Sequence, residues 1–171
     1  MRHILIVGRN GVGKSTLIRA LLEVIPAPDF GVITKKEPPQ SDGFCPVYIH
    51  RFGAPKQFSA ENRVGLCREG KSVAFPEVFD RFAETAFVRS DGIVVFDELG
   101  FLESEANRFT AFVLDTLDRA KIVIAAVRDK DTPFLNAVRS HPRADVYRID
   151  EINREELKEK LLLKLQREFS D

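Results

Sequence analysis

The chain has 171 residues, of which 44% are hydrophobic and 30% are charged, and these values predict one soluble globular domain over residues 1–171. Lysine plus arginine equals aspartate plus glutamate at 26 each, so the net charge indicates neither a nucleic-acid partner nor an anionic membrane surface. Two cysteines without zinc or disulfide spacing argue against a metal or disulfide framework, and the lack of a long apolar run or signal peptide predicts a cytoplasmic protein with no membrane partner.

The first 25 residues predict a strand, a glycine-rich loop and a helix. The apolar run at residues 3–7 is typical of a short buried strand, and apolar residues at helical spacing from residue 15 to residue 25 predict a helix that ends before Pro26. Between these elements the chain reads GRNGVGKS, which fits the phosphate-loop spacing G-x-x-x-x-G-K-[ST] without a gap.

The residue types in this loop suit a polyphosphate. Glycines allow several backbone N–H groups to surround the phosphates, and the next helix directs its positive dipole end at them. We expect Lys14 to bridge the β- and γ-phosphates, the Ser15 hydroxyl to bind Mg2+, and Thr16 to donate to the α-phosphate. The predicted nucleotide-binding residues are Gly8, Arg9, Asn10, Gly11, Val12, Gly13, Lys14, Ser15 and Thr16.

The middle of the chain predicts hairpins and then a helix. The turn-rich stretch KEPPQSDG and short alternating stretches such as VYIHRF indicate β-hairpins between about residues 30 and 72. Pro76 suits the first turn of a helix, because its missing N–H would have no partner there. The apolar face predicted for this helix consists of Phe75, Val78, Phe79, Phe82, Ala86 and Phe87.

The second half of the chain alternates strands with helices. Buried strands are predicted at residues 92–96, 122–127 and 146–149, and helices from about residue 104, from residues 132–133 and from Asn153, a cap-like residue with Glu156 three positions later. This alternation predicts an α/β fold with a mostly parallel central sheet flanked by helices.

An acidic pair closes the predicted strand GIVVFD. Asp97 lies at the carboxyl end of that strand, the same sheet edge as the glycine loop, and we expect it to help hold Mg2+. Glu98 follows directly and can orient or deprotonate a water that attacks the γ-phosphate, which a phosphotransferase would exclude. The pair therefore favours hydrolysis over phosphoryl transfer.

Three further residues have less certain roles at this stage. Glu103 fits either a carboxylate supporting the site from behind or an acid in the first turn of the next helix. Arg128 follows the strand IVIAAV and could stabilise charge in the transition state, with Lys130 as a weaker candidate, but a solvated loop of mixed charge explains them equally well.

Three blocks in order resemble the small P-loop nucleoside-triphosphatases first described from thermophiles, a family that includes the vertebrate cancer-related nucleoside-triphosphatase. They are GRNGVGKSTL, then GVITKKE with DGFCPVYI, and then VVFDELGFLES, followed by AAVRDKD. The resemblance implies a RecA-like variant of the P-loop fold and slow, Mg2+-dependent hydrolysis of NTP to NDP and phosphate with loose base preference. It implies Asp97 and Glu98 as the metal and water-directing acids, with Glu103 and Arg128 at matching further positions. This chain departs from the family in Arg9 and Asn10, where a proline is common, and in PPQSDG at the hairpin tip, where an arginine is usual.

Two other functions fit the glycine loop. A P-loop kinase for a small metabolite needs an arginine-rich lid, and the hairpin region offers only scattered Arg51, Arg63 and Arg68. A nucleotide-dependent switch or assembly protein would bind tightly and turn over little, but the guanine-reading N-K-x-D segment of Ras-type switches is absent. We therefore favour an NTP phosphohydrolase, with a monomer as the default state.

Overall fold

Strands and helices alternate along the chain in a computed structural model that describes residues 1–89 and 91–169. The strands are β1 His3–Gly8, β2 Phe30–Lys36, β3 Cys45–Arg51, β4 Arg63–Arg68, β5 Lys71–Ala74, β6 Ile93–Leu99, β7 Ile122–Arg128 and β8 Ala144–Arg148. The helices are α1 Lys14–Leu22, α2 Pro76–Glu84, α3 Asn107–Arg119, α4 Pro133–Arg139 and α5 Arg154–Phe169.

All of these strands form one sheet in the order β5-β4-β3-β2-β6-β7-β1-β8. Strands β2, β6, β7, β1 and β8 pair in parallel, while β3, β4 and β5 continue the sheet past β2 in antiparallel pairs. The predicted α/β class with a mostly parallel sheet is therefore confirmed. The predicted hairpins are present, but they reach Ala74, and strands β3, β4 and β5 form an antiparallel extension of the main sheet.

The strand register brings three chain segments together at one edge of the sheet. Gly8 at the end of β1 is the register partner of Arg128 at the end of β7. On the other side of β7, Asp97 of β6 pairs with Ala126 of β7 and with Ile33 of β2. Parallel strands end at a common edge, so residues far apart in sequence meet beside the glycine loop.

The core lies on both faces of the sheet. Helices α1 and α5 cover one face, and α2, α3 and α4 cover the other. Strands buried on both faces need apolar side chains at consecutive positions, which explains the unbroken apolar runs of β1 and β7. Within the described ranges, no helix combines the length and apolar character needed to cross a bilayer.

Several predicted element boundaries are wrong. Helix α2 ends at Glu84, so Phe87 lies beyond it and is 79% exposed instead of packed on its apolar face. Helix α3 begins at Asn107 rather than near residue 104, because turns occupy the preceding residues. Helix α5, in contrast, begins directly after Asn153 as predicted, and the Asn153 carboxamide oxygen accepts from the Asp150 N–H.

Two phenylalanines near α2 provide a test of this packing. Phe79 is fully buried against Phe109, with ring centroids 5.1 Å apart, so we expect Phe79→Ala to lower the free energy of unfolding by about 3–5 kcal/mol. The matched control Phe87→Ala should change it by less than about 0.5 kcal/mol, since the ring is exposed. Denaturant titration measures both values, and similar losses in the two variants would contradict this description of the core.

Candidate active site

The glycine loop lies between β1 and α1, as its spacing predicts. Gly11 and Gly13 have φ angles of 76° and 109°, in the left-handed region where other residues are strained. Gly13 immediately precedes α1, and its carbonyl oxygen accepts from the Leu17 N–H at 2.9 Å. The two glycines let the backbone turn sharply, so the loop passes directly into the N-terminus of the helix.

Lys14 is folded back over this loop and is only 4% exposed. Its Nζ donates to the carbonyl oxygens of Gly8 at 2.8 Å and Arg9 at 2.7 Å. It also lies 3.0 Å from Oε2 of Glu98. The ammonium is thus held at the centre of the loop, where phosphate oxygens could replace these partners.

The Glu98 carboxylate lies between two cations. Its Oε1 accepts from Nε of Arg128 at 2.7 Å, opposite the contact of Oε2 with Lys14. The Glu98 side chain is 19% exposed, so both ion pairs are partly shielded from water and are stronger than surface pairs. The Asp97–Glu98 peptide bond is cis. Arg128 is itself positioned by Arg139, whose Nη1 donates to its carbonyl oxygen at 3.2 Å.

Ser15 and Asp97 form the second polar contact of the site. The Ser15 hydroxyl donates to Oδ1 of Asp97 at 2.7 Å. Burial raises the pKa of the Asp97 carboxyl, and the Ser15 hydrogen bond partly opposes that effect. A nearby divalent cation would offset the same burial cost.

This oxygen pair suits Mg2+. Mg2+ prefers hard oxygen ligands and usually takes one or two protein groups, with water and phosphate oxygens completing its shell. Among the residues that the structure describes, no cluster of three or more histidine, cysteine or acidic side chains could form a metal cage. Ser15 and Asp97 could therefore hold Mg2+ together with a bound triphosphate.

Glu103 is a buried carboxylate behind the site. It is 1% exposed, and its Oε1 accepts from the Gly100 N–H at 3.0 Å. Burial raises the pKa of Glu103 to about 7, against the opposing effect of the Gly100 hydrogen bond. Because α3 begins only at Asn107, Glu103 is not a first-turn acid of that helix, and it instead fixes the turn that follows β6.

The acidic and basic groups line one end of a cavity of about 550 Å3. The predicted site residues that the cavity brings together are Asn10, Ser15, Asp97, Glu98, Glu103 and Arg128. The remaining polar lining consists of Thr34 and of Arg19, Lys35, Lys36 and Lys56. The cavity therefore combines these predicted residues with four basic side chains that the sequence analysis missed.

Other predicted residues lie elsewhere. Arg9 points to Glu151, with Nη2 and Oε1 3.1 Å apart, and Val12 is buried in the core. Thr16 faces a different depression, towards α5. Lys130 is exposed and is not part of the cavity lining.

Two sequence signals could have identified the missed cations. Arg19 follows Ser15 by four positions on α1, so the two lie on the same helix face. Lys35 and Lys36 end β2 at the sheet edge that carries the glycine loop. Lys56 follows β3 without a comparable signal, because its position depends on how the loop after that strand folds.

Glu103 should give the protein a pH-dependent stability. Its folded pKa of about 7 lies above the ordinary glutamate pKa of 4.5, so the folded state binds the proton more tightly and stability falls as the pH rises between these values. We expect wild type to lose roughly 3 kcal/mol relative to Glu103→Gln across this window. Denaturant titrations at pH values spanning the window measure the difference, and parallel profiles for the two proteins would contradict it.

Comparison with known proteins gives a consistent result. A family model described as NTPase matches residues 3–162. Nucleoside-triphosphatase THEP1 of Thermotoga maritima is 29% identical and that of Thermotoga sp. strain RQ2 is 27% identical, each over 93% of this chain and 92% of the relative.

Two solved structures share the fold. The crystal structure of THEP1 from Aquifex aeolicus has a TM-score of 0.63 at 19% identity, covering 97% of this chain and 99% of that one. The solution structure of a human cancer-related nucleoside triphosphatase has a TM-score of 0.58 at 23% identity, covering 98% of each chain. The fold and the family predicted from the sequence are confirmed, and the chain belongs to the NTPase family.

Proposed function

We propose that this protein hydrolyses nucleoside triphosphates such as ATP and GTP to diphosphates and phosphate with Mg2+, and that Glu98 directs the attacking water. The observation that carries the proposal is the Glu98 carboxylate between Lys14, at 3.0 Å, and Arg128, at 2.7 Å. A carboxylate at the edge of a phosphate loop can accept a proton from water or orient it in line with the γ-phosphate.

Phosphate binding would release Glu98 for this task. Lys14 now satisfies its ammonium with Glu98 and two loop carbonyl groups. A γ-phosphate carries more negative charge than a carboxylate and would compete for the same ammonium. Once Lys14 turns to the phosphate, one oxygen of Glu98 is free to accept a hydrogen bond from water.

Arg128 would stabilise negative charge in the transition state. Its Nε already contacts Oε1 of Glu98 at 2.7 Å, so its guanidinium lies beside the carboxylate that we assign to the water. The remaining N–H groups of a guanidinium can donate to phosphoryl oxygens as negative charge develops on them. We also propose that residues 8–16, as predicted from the sequence, form the phosphate-binding loop.

Ser15 and Asp97 would hold Mg2+ at this site. The ion supplies charge neutralisation and orientation of the β- and γ-phosphates when bound. The Ser15 hydroxyl can turn its proton away from Asp97 and present a lone pair, so both groups act as oxygen ligands. The loose base preference that we propose requires no contact that reads the base.

The arginines of the antiparallel extension support hydrolysis over a kinase reaction with an arginine lid. Arg51 lies over the Phe30 ring, Arg63 over Phe75 and Arg68 over Phe44. None of the three arginines lines the described cavity. They are engaged in packing and are not directed at a donor phosphate.

Replacing the phosphate-side groups should abolish most of the hydrolysis. We expect Lys14→Ala and Glu98→Gln each to lower kcat by about 10²- to 10⁴-fold, because each removes a group that acts on the transferred phosphoryl or the water. Phosphate release from ATP and GTP measures the rate, with the exposed Lys71→Ala and Glu105→Gln as matched controls. Wild-type rates in either site variant would contradict the assignment.

Asp97 should control the Mg2+ requirement. Asp97→Asn keeps the size of the side chain but removes its charge, so we expect at least about a tenfold higher Mg2+ concentration for half-maximal hydrolysis. A Mg2+ titration at saturating ATP checks this, with Asp115→Asn on the exposed side of α3 as the control. An unchanged Mg2+ requirement in Asp97→Asn would assign the metal to other ligands.

A further inference from the structure

The two cysteines of the chain meet across a pair of strands. Cys45 is the first residue of β3 and Cys67 lies near the end of β4, and the two are direct register partners in the antiparallel ladder. Both are free thiols, and both are half-buried. Their wide separation in the sequence hides this arrangement, because the spacing of cysteines does not reveal which strands pair.

The strand pairing holds on both sides of the two thiols. Towards the middle of the strands, Pro46 pairs with Leu66. Towards the strand ends, Arg68 lies over the Phe44 ring, with 4.5 Å between its Cζ and the ring centroid. The two thiols are therefore held at one level of the ladder, and fraying of the strand ends first has to break the contact between Arg68 and Phe44.

The backbone positions of the two cysteines suit a disulfide. Even-numbered residues of β3 direct their backbone groups at β2, since the Glu37 N–H donates to the Pro46 carbonyl oxygen at 2.8 Å. Cys45 therefore directs its backbone at β4 and forms a hydrogen-bonded pair with Cys67, a type of pair whose Cα atoms are about 5.5 Å apart. Disulfides span Cα separations of roughly 4.4–6.8 Å. The Cβ atoms have to approach a little more closely than in the ladder, so such a bond is strained and is readily reduced.

The thiols lie on the sheet face that is covered by α2 and α3. Cys67 packs against the core cluster that contains Leu102, and it lines the cavity together with Leu102 and Glu103. Residues directly opposite each other on paired strands share a face of the sheet, so Cys45 lies on this face too. A bond between the thiols would therefore form at the wall of the candidate active site.

Strand β4 is in close contact with the turn that follows β6. A Cβ added at Gly65, two residues before Cys67, would lie only 3.0 Å from Cδ1 of Leu102. Leu102 belongs to the turn after Glu98, in which Glu103 accepts from the Gly100 N–H at 3.0 Å. Close-packed interiors transmit small displacements, so a shift of β4 towards β3 would reach the turn and the carboxylate beside it.

We propose that Cys45 and Cys67 are a redox modification site, where a peroxide converts the two thiols into a disulfide that slows hydrolysis reversibly. One thiol attacks hydrogen peroxide, breaks its O–O bond, becomes a sulfenic acid and releases water. The other thiol attacks that sulfur, the S–S bond forms and a second water leaves, so the thiols lose two electrons and two protons in all. A dithiol reductant reverses the step by thiol–disulfide exchange. The effect on hydrolysis rests on the proposed function, whereas the bond itself does not.

The test of the bond treats the full chain with dilute hydrogen peroxide. Intact mass spectrometry should show the loss of two hydrogen atoms without oxygen on either cysteine, and peptide mapping should join the peptide of Cys45 to that of Cys67. Cys45→Ser and Cys67→Ser are the matched controls, because each keeps one thiol and should gain oxygen instead. Oxygen addition to both cysteines of wild type, or a disulfide between two chains, overturns the proposal.

Phosphate release from ATP measures the consequence of the bond. Oxidised wild type should hydrolyse at least about threefold more slowly than reduced wild type, and dithiothreitol should restore the rate. The double variant Cys45→Ser/Cys67→Ser has no thiol to oxidise, so peroxide should leave its own rate unchanged. An unchanged rate in fully oxidised wild type overturns the link to the site, and an equal slowing of the double variant assigns the effect to other groups and overturns it as well.

Failure of the proposed function gives a different result from failure of the redox site. A reduced wild type that hydrolyses no triphosphate contradicts the proposed function, and the mass measurement then still supports or overturns the disulfide. A wild type that hydrolyses triphosphates but forms no disulfide in peroxide contradicts the redox site alone.

Discussion

The Glu98 carboxylate joins the three chain segments that make up the site. It contacts Lys14 from the loop after β1 and Arg128 from the end of β7, while its own backbone belongs to β6. Removing one member of such a half-buried group leaves the others with charge that water solvates poorly, so each member depends on the other two. In the function that we propose, a triphosphate takes Lys14 away from Glu98 before Glu98 acts on water.

The strand register of the sheet brings these three segments next to one another. Gly8 and Arg128 are register partners on neighbouring strands, and Asp97 lies one strand further along on β6. A parallel sheet gathers the carboxyl ends of its strands at one edge, so the loop, Asp97 and Arg128 meet there. Glu103 then fixes the turn after β6 through Gly100, at the cost of burying a carboxyl group.

Local signals in the sequence were enough to predict which segments meet at this edge of the sheet. The glycine loop has a fixed spacing, and Asp97 and Glu98 follow an unbroken apolar run whose end had to lie at the same edge. The state of Glu103 was not predictable, because its burial depends on a turn and on a helix that begins three residues later than expected. The prediction that Phe87 packs on the apolar face of α2 was wrong for a related reason. The helical spacing of apolar residues continues in the sequence beyond Glu84, where the helix ends. Lys56 belongs to a loop whose path is fixed only by tertiary packing.

The antiparallel extension changes what the sheet edge can hold. A parallel sheet that ended at β2 would leave this side of the edge open to water. Strands β3 and β4 instead add an apolar wall with Val47 and Cys67, and the ends of β2 and the loop after β3 add lysines. A wall of this kind limits the access of bulk water to the edge, and its lysines add positive charge there. The extension therefore shapes the space beside the glycine loop, whereas the loop and β6 supply the groups that we propose to hold the triphosphate.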